Sequence, residues 1–512
     1  MLSARNPLPY QPLLKNEEDA RYLWTISEDG SAVSRALTGI ERVFAIYNED
    51  LYGQNCPFMG ACLNLDSNKS TRPSFTLAEL TSRAIKAISH TRWAYPTVAA
   101  RIEDRVNFVY KIENASDVDD WARRTVKVVE ADGGWLALRE KLSRTTKIPS
   151  DDGDFCLFYL IVNHKDFSKG EISRFDILMH LNHALVDGAG IRTIMNEFLE
   201  RFASPLPGEE LVWGNEIRGL LPPALLIEKE DEPEFSNDET QGVPVKISGG
   251  QDVGLPVYRP DIHAPSSANR GTLLVTHTFT ENFLPKLLHV GRAHHVKLSS
   301  VLHASLLKAM YDLTETKPAA NNVYRGGQAM DLRNGYLYSE YCEKKKYVNN
   351  AVAFQHIVVP CMLFADGGFW KAAEYIRDEW PTVKKKGITK AGEKLAEGFL
   401  AIQENLKNAT SMAPTKPNTC PYFVSDPPGS QLLSPSYKVE DSGVEGLEMV
   451  LESYQIATDQ SQRIVSARSH SWNDKLTLCL VFNSTLNPKE KMQEFLDRWV
   501  EVVEGVCENR YV

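Results

Sequence analysis

The stretch Phe175-Asp-Ile-Leu-Met-His180-Leu-Asn-His183-Ala-Leu-Val-Asp187-Gly188-Ala-Gly190 holds the side chains of this sequence whose types and spacing best suit chemistry. An imidazole is poised to accept a proton near neutral pH, and an acid four residues later, followed by glycines, can fix the turn that aims it. Downstream, Ile191, Ile194, Met195, Phe198, Leu199 and Phe202 recur at helical spacing, so the polar cluster falls at the junction of a buried strand and a helix. A junction of this kind puts side chains at a pocket edge.

The cluster has competing readings. His180, His183 and Asp187 could be metal ligands, but residues three apart on a strand point to opposite faces, so the two imidazoles would converge only across a bend. Gly188-Ala-Gly190 could open a dinucleotide-binding turn, although the third glycine position holds Thr193. His183 could also be a core histidine held by hydrogen bonds. Other motifs are weaker. No G-x-S-x-G elbow appears, so the common serine hydrolase has no nucleophile. Gly387-Ile-Thr-Lys-Ala-Gly392 mimics a phosphate loop but places Glu393 where the loop lysine belongs. The run Lys384-Lys-Lys386 reads as a solvated helix end, and the adjacent His294 and His295 as surface residues.

The elements that must position the cluster are legible in outline. Before it come a strand around Phe58 to Leu65, a helix from Thr76 to about Trp93 opened by the capping box Thr76-Leu-Ala-Glu79, and strands at Thr97 to Ile102 and Val106 to Ile112. Ser116 is expected to open another helix. The apolar run Phe155 to Val162 suits a strand covered on both faces. After the cluster, Thr272 to Phe279 reads as a strand and a helix starts at Glu281, with Pro285 in its first turn. A helix capped by Ser299 follows, then strands around Val323 to Met330, Ala351 to Pro360 and Leu476 to Phe482. Helices are expected from Phe369, from about Ile388, and from Pro488 to Cys507. Between Glu228 and Glu239, seven acids against Lys229, with Pro233 inside and Pro222, Pro223 and Pro244 beside it, mark a solvated linker.

Composition narrows the class. The 512 residues are enough for two or more domains, and 43% hydrophobic with 24% charged residues is a globular balance. No stretch approaches the roughly 18 uninterrupted apolar residues of a membrane helix, and the first residues lack a signal-peptide core, so a cytoplasmic protein is expected. A net charge of −10 argues against a nucleic-acid partner. The eight cysteines form no C-x-x-C pair and read as buried thiols.

The string His183-Ala-Leu-Val-Asp187-Gly188 resembles the H-x-x-x-D-G signature of the coenzyme-A-dependent acyltransferase superfamily, which includes chloramphenicol acetyltransferase, plant BAHD acyltransferases and peptide-synthetase condensation domains. Arg92-Trp-Ala-Tyr-Pro-Thr-Val-Ala-Ala-Arg-Ile102, Met330-Asp331-Leu332-Arg333 and the pair Asn349-Asn350 before a long strand extend the resemblance over most of the chain. Around Leu37-Thr-Gly-Ile-Glu-Arg42 it looks closest to the fungal trichothecene O-acetyltransferases, the 15-O-acetyltransferases in particular. There are departures. The plant D-F-G-W-G motif is absent, the nearest landmark being Phe423-Val-Ser-Asp-Pro-Pro-Gly429; Asn182 stands where condensation domains carry a second histidine; and His180 matches no catalytic position.

The resemblance implies an α/β fold of two chloramphenicol-acetyltransferase-like domains with the active-site channel at their interface. They would be an N-terminal domain over 1–215 and a C-terminal domain over 271–512, joined by an acidic, proline-rich linker over 216–270. It implies His183 as the catalytic base, Asp187 turned away to pair with Arg333, and Gly188 leaving room at the turn. The substrates would be acetyl-CoA and a hydrophobic alcohol such as a trichothecene, with no metal, in a monomer. Two other functions stay open, a carrier-protein-dependent, condensation-like acyltransferase and a catalytically silent ligand-binding relative.

Overall fold

The computed structural model describes residues 12, 14, 16–67, 73–204, 211–229, 251–259, 270–314, 317–342, 347–384, 397–398, 418–440 and 442–511. Among them, two large mixed sheets and the helices packed on them make up an α/β fold. The first sheet runs in the spatial order Ser436–Lys438, Glu448–Thr458, Pro57–Asp66, Arg174–Leu181, Cys156–Val162 and Val126–Glu130, antiparallel except for the last pair. The second runs Thr272–Thr278, Lys475–Asn483, Ser466–Trp472, Tyr422–Ser425, Val323–Asp331 and Val352–Pro360, with Asp252–Val253 pairing beside Val323–Asp331. Each sheet has its own apolar core, one around Phe58, Leu160, Leu178 and Phe198, the other around Leu306, Tyr324, Phe482 and Trp499.

The lobes do not follow sequence order. Ser436–Lys438 and Glu448–Thr458 come from the second half of the chain yet extend the first sheet, where Tyr454 pairs with Ala61 and Ile456 with Met59. This crossing brings the segment after Thr458 to the lobe boundary. Residues 216–229, inside the expected linker, are packed: Leu220, Leu221, Leu226 and Ile227 are buried, and Trp24 Nε1 donates to the Leu221 carbonyl at 2.9 Å. The acidic run beyond Lys229, the helix expected near Ile388 and the Gly387–Gly392 motif lie outside the described residues.

Most expected elements form with small shifts. Thr76 and Glu79 close the capping box on the helix Leu77–Ala94, and the apolar run becomes the wholly buried strand Cys156–Val162. Pro96 changes the next prediction. Its fixed φ starts a 3-10 turn over Pro96–Ala99, so the strand there shrinks to Arg101–Glu103. Two helices begin earlier than expected, by one residue at Ala115 with Asn114 as the cap and by two at Leu298, where Lys297 takes the cap position expected for Ser299. All eight cysteines are free, and among the described residues no helix is long and apolar enough to cross a membrane.

Candidate active site

The strand Arg174–Leu181 ends where Asn182 turns the chain. Asn182 Oδ1 accepts the Ala184 amide at 2.8 Å, and the Asn182 carbonyl accepts the Leu185 amide at 3.2 Å, an Asx-type turn that delivers His183 off the strand. The His183 ring lies flat on Phe44, with centroids 3.7 Å apart and planes 3° from parallel. Asn350, from the other lobe, donates through Nδ2 to the His183 carbonyl. Ring plane and backbone are thus held from two directions. The His183 ring is buried against its own backbone and that of Val186, and it is on the cavity wall that it meets a ligand.

His183 lines a cavity of about 530 Å3 whose wall comes from both lobes: Tyr47, Pro57 and Gly188 on one side, Ala329, Val352, Tyr422 and Arg468 on the other. That volume suits a small-molecule substrate. Burial lowers the His183 pKa to about 4; nearby Arg468 works in the same direction, and Asp187 opposes it. The imidazole is therefore neutral, the form that can act as a base.

Asp187 also lines the cavity, and its carboxylate is nearly saturated with donors. As cap of the helix Gly188–Ala203 it accepts from Ala189 N at 3.1 Å and Gly190 N at 3.0 Å, and it also accepts the Ala351 amide at 2.8 Å. Arg333 Nη1 and Nη2 each reach one of its oxygens at 2.9 Å, a bidentate pair. Burial would raise the Asp187 pKa, but Arg333 and these amides hold it below the usual carboxylate range. Arg333 spends its remaining donors on Tyr347 O, Asp331 and Asn349 O. Gly190 has no room for a side chain, because a Cβ there would overlap the Val348 carbonyl. The helix start and the 347–351 segment are thus locked together beside His183.

His180 does not join this group. Its Nε2 meets Asp459 at 3.0 Å, and Asp459 also takes Arg139 and, at 2.9 Å, Thr272 Oγ1, in a buried cluster on the strand's other face. The two histidines thus serve different surroundings. Sequence reasoning also missed part of the wall. Asp426 accepts from Arg468 Nη2 at 2.8 Å and lies 3.5 Å from Arg192, so two buried guanidinium groups face one carboxylate beside Gly188. Asp426 sits in the Phe423–Gly429 landmark, whereas Arg192 was hidden inside an apolar helix stripe and Arg468 in an unremarked strand. Phe44 had no chemical signal at all. His294, expected at the surface, is half-buried at a helix end and stacks on Trp370 with centroids 3.6 Å apart.

The two lobes and the cavity between them make a condensation-domain-like fold. Solved structures share the fold. A cyclization-docking bidomain of the EpoB peptide synthetase from Sorangium cellulosum aligns with a TM-score of 0.59 at 11% identity, over 98% of this chain and 88% of that one. Polyketide synthase associated protein 5 from Mycobacterium tuberculosis aligns with a TM-score of 0.57 at 13% identity, over 93% and 98%. More narrowly, residues 12–333 match the family model described as 15-O-acetyltransferase Tri3, and the chain belongs to that family. The structure of TRI3 trichothecene 15-O-acetyltransferase from Fusarium sporotrichioides aligns with a TM-score of 0.80 at 18% identity, covering 97% of this chain and 98% of that one. No curated protein sequence is a significant match.

Proposed function

We propose that this acyltransferase moves acetyl from acetyl-CoA to the 15-hydroxyl of a trichothecene, with His183 as general base. The observation that carries the reading is a neutral imidazole, fixed by Phe44 and Asn350, opening on an interlobe cavity. Family membership supports the acetyl group and the oxygen acylated. The alcohol oxygen attacks the thioester carbonyl carbon while His183 Nε2 takes its proton. The tetrahedral intermediate then collapses, the carbon–sulfur bond breaks, and the imidazolium returns the proton to the departing thiolate. Atoms and charge balance with no covalent bond to the protein and no metal. Proton transfer of this kind contributes roughly a hundred- to ten-thousand-fold, and holding both substrates in one cavity supplies much of the remainder.

Asp187 and Arg333 take structural roles in this scheme, holding the turn rather than touching substrate, and Gly188 leaves the wall open there. The same reading takes residues 1–215 and 271–512 as the two domains, with 436–438 and 448–458 lent to the first sheet. It describes a monomeric cytoplasmic enzyme.

The pH dependence has a definite sign. His183 must be neutral to act, so kcat/KM should hold level from neutral pH down to about 5 and fall as pH drops through about 4. An ordinary surface histidine would lose half its activity near pH 6.5. A kcat/KM profile taken between pH 3.5 and 8, with melting curves to confirm folding at each pH, separates the two. The donor is tested by supplying acetyl as free acetyl-CoA or on a carrier-protein pantetheine. Release of coenzyme A in step with ester formation is expected with the free thioester. Turnover confined to the carrier-bound form would reassign the donor.

A further inference from the structure

The cavity changes character along one strand. On Val323–Asp331 and the turn after it, the residues facing the cavity are Arg325, Gly327, Ala329, Asp331 and Arg333, while the intervening Tyr324, Gly326, Gln328 and Met330 are buried. Charged side chains therefore stand at both ends of this row and almost nothing in the middle. At roughly 3.3 Å per residue, the bare section from Gly327 to Ala329 is about 7 Å long.

Tyr422 fills the space this leaves. It lies on the neighbouring strand Tyr422–Ser425, whose Phe423 pairs with Gln328, and its ring lies across Gly327. A Cβ at position 327 would stand 2.5 and 2.7 Å from the ring carbons Cδ2 and Cε2, too close for both to stay. Glycine is required there for close approach, not for an unusual φ. Val352 and Val424 continue the apolar wall, and Val43, Tyr47 and Ile456 face it from the first lobe.

A pantetheine arm is a narrow chain whose amides need hydrogen-bond partners. A section kept low by Gly327 and the single methyl of Ala329, and floored by the flat Tyr422 ring, instead suits a broad, rigid, apolar body, which buries area with little conformational entropy to lose. We propose that Gly327, Ala329 and Tyr422 form the platform on which a ring-fused acceptor alcohol lies, and that they set which acceptors reach His183. This deepens the acyl-transfer reading and rests on it.

Steady-state kinetics of Ala329→Leu and Gly327→Ala test the platform, with a trichothecene alcohol and a small linear alcohol as alternative acceptors. The first variant puts a branched side chain into the section, and the second pushes the Tyr422 ring into it. The KM of the trichothecene should rise at least roughly tenfold more than the KM of either acetyl-CoA or the linear alcohol, the size expected when a few methylenes' worth of space is lost. Ala329→Val is a milder backup should the leucine variant fail its melting curve. A rise centred on acetyl-CoA would overturn the proposal and give this section to the pantetheine. An equal loss with both acceptors would overturn it by showing a merely structural role. If the wild-type protein transfers acetyl to no alcohol, the acyl-transfer reading itself fails. Calorimetric titration with the trichothecene alone then still reads the platform, since weaker binding to Ala329→Leu than to wild type supports it and equal binding refutes it.

Discussion

Replacing His183 with alanine should lower kcat/KM by roughly a hundred- to ten-thousand-fold while the protein stays folded. The turn that carries the ring is held through backbone and neighbours rather than through the imidazole: Asn182 Oδ1 accepts the Ala184 amide, Asn350 donates to the His183 carbonyl, and Asp187 caps the helix start. Truncation therefore removes the base and the stack on Phe44 and leaves the scaffold. The KM of acetyl-CoA should change little, because the lost interaction belongs to the transition state. His183→Asn keeps a polar group of similar reach without a comparable basicity, and it should be nearly as inactive. A folded alanine variant with near wild-type turnover would remove His183 from the chemistry.

The largest stability effect is expected at Asp187. It accepts from five donors on three segments, and Arg333 binds both of its oxygens in a buried setting. Asp187→Ala leaves the helix start uncapped, the Ala351 amide unpaired and a buried guanidinium partly uncompensated. Breaking one side of such a pair costs about 3–5 kcal/mol. The melting temperature should fall by several degrees and activity should fall with it, since the turn behind His183 loosens. Arg333→Met should act similarly by stranding the carboxylate. The double variant should lose less than the sum of the two, because each single change already breaks the pair. Additive losses, or an unchanged melting temperature in Asp187→Ala, would show that the two groups do not work as a unit.

The sign of the Asp187 effect with pH follows from its lowered pKa. Its contribution is present above the usual carboxylate range and is lost only as pH falls below it. That loss sits lower than the one from His183, whose lowered pKa favours the folded state less and less as pH drops from its unfolded value near 6.5 toward about 4.

How much of this was legible in the sequence depends on how local the cause is. The helix Leu77–Ala94 announces itself through Thr76 and Glu79, and the strand Cys156–Val162 through seven apolar residues in a row, because caps and burial act over a few positions. The capping box of Thr38 and Glu41 on the helix Gly39–Asp50 was as local but went unread, and with it the placement of Phe44. The strand Glu448–Thr458 gives little sign of its own. Its alternation is broken by a register shift between Leu451 and Ser453, and nothing nearby says that its partner is Pro57–Asp66 rather than the second sheet. The site divides in the same way. The histidine and the aspartate are neighbours in sequence, and Arg333 came from a resemblance. The facing of Arg192 and Arg468 on Asp426, and the ring of Tyr422 on Gly327, arise only when strands distant in sequence become neighbours in the sheet.

The most direct test of the account is the product itself. The purified protein would be incubated with acetyl-CoA and a trichothecene carrying several free hydroxyls, and the esterified oxygen identified by NMR. The account predicts a single monoacetate at the 15-oxygen, formed in step with coenzyme A release and abolished by His183→Ala. An ester at another oxygen, or coenzyme A released with no ester formed, would contradict it.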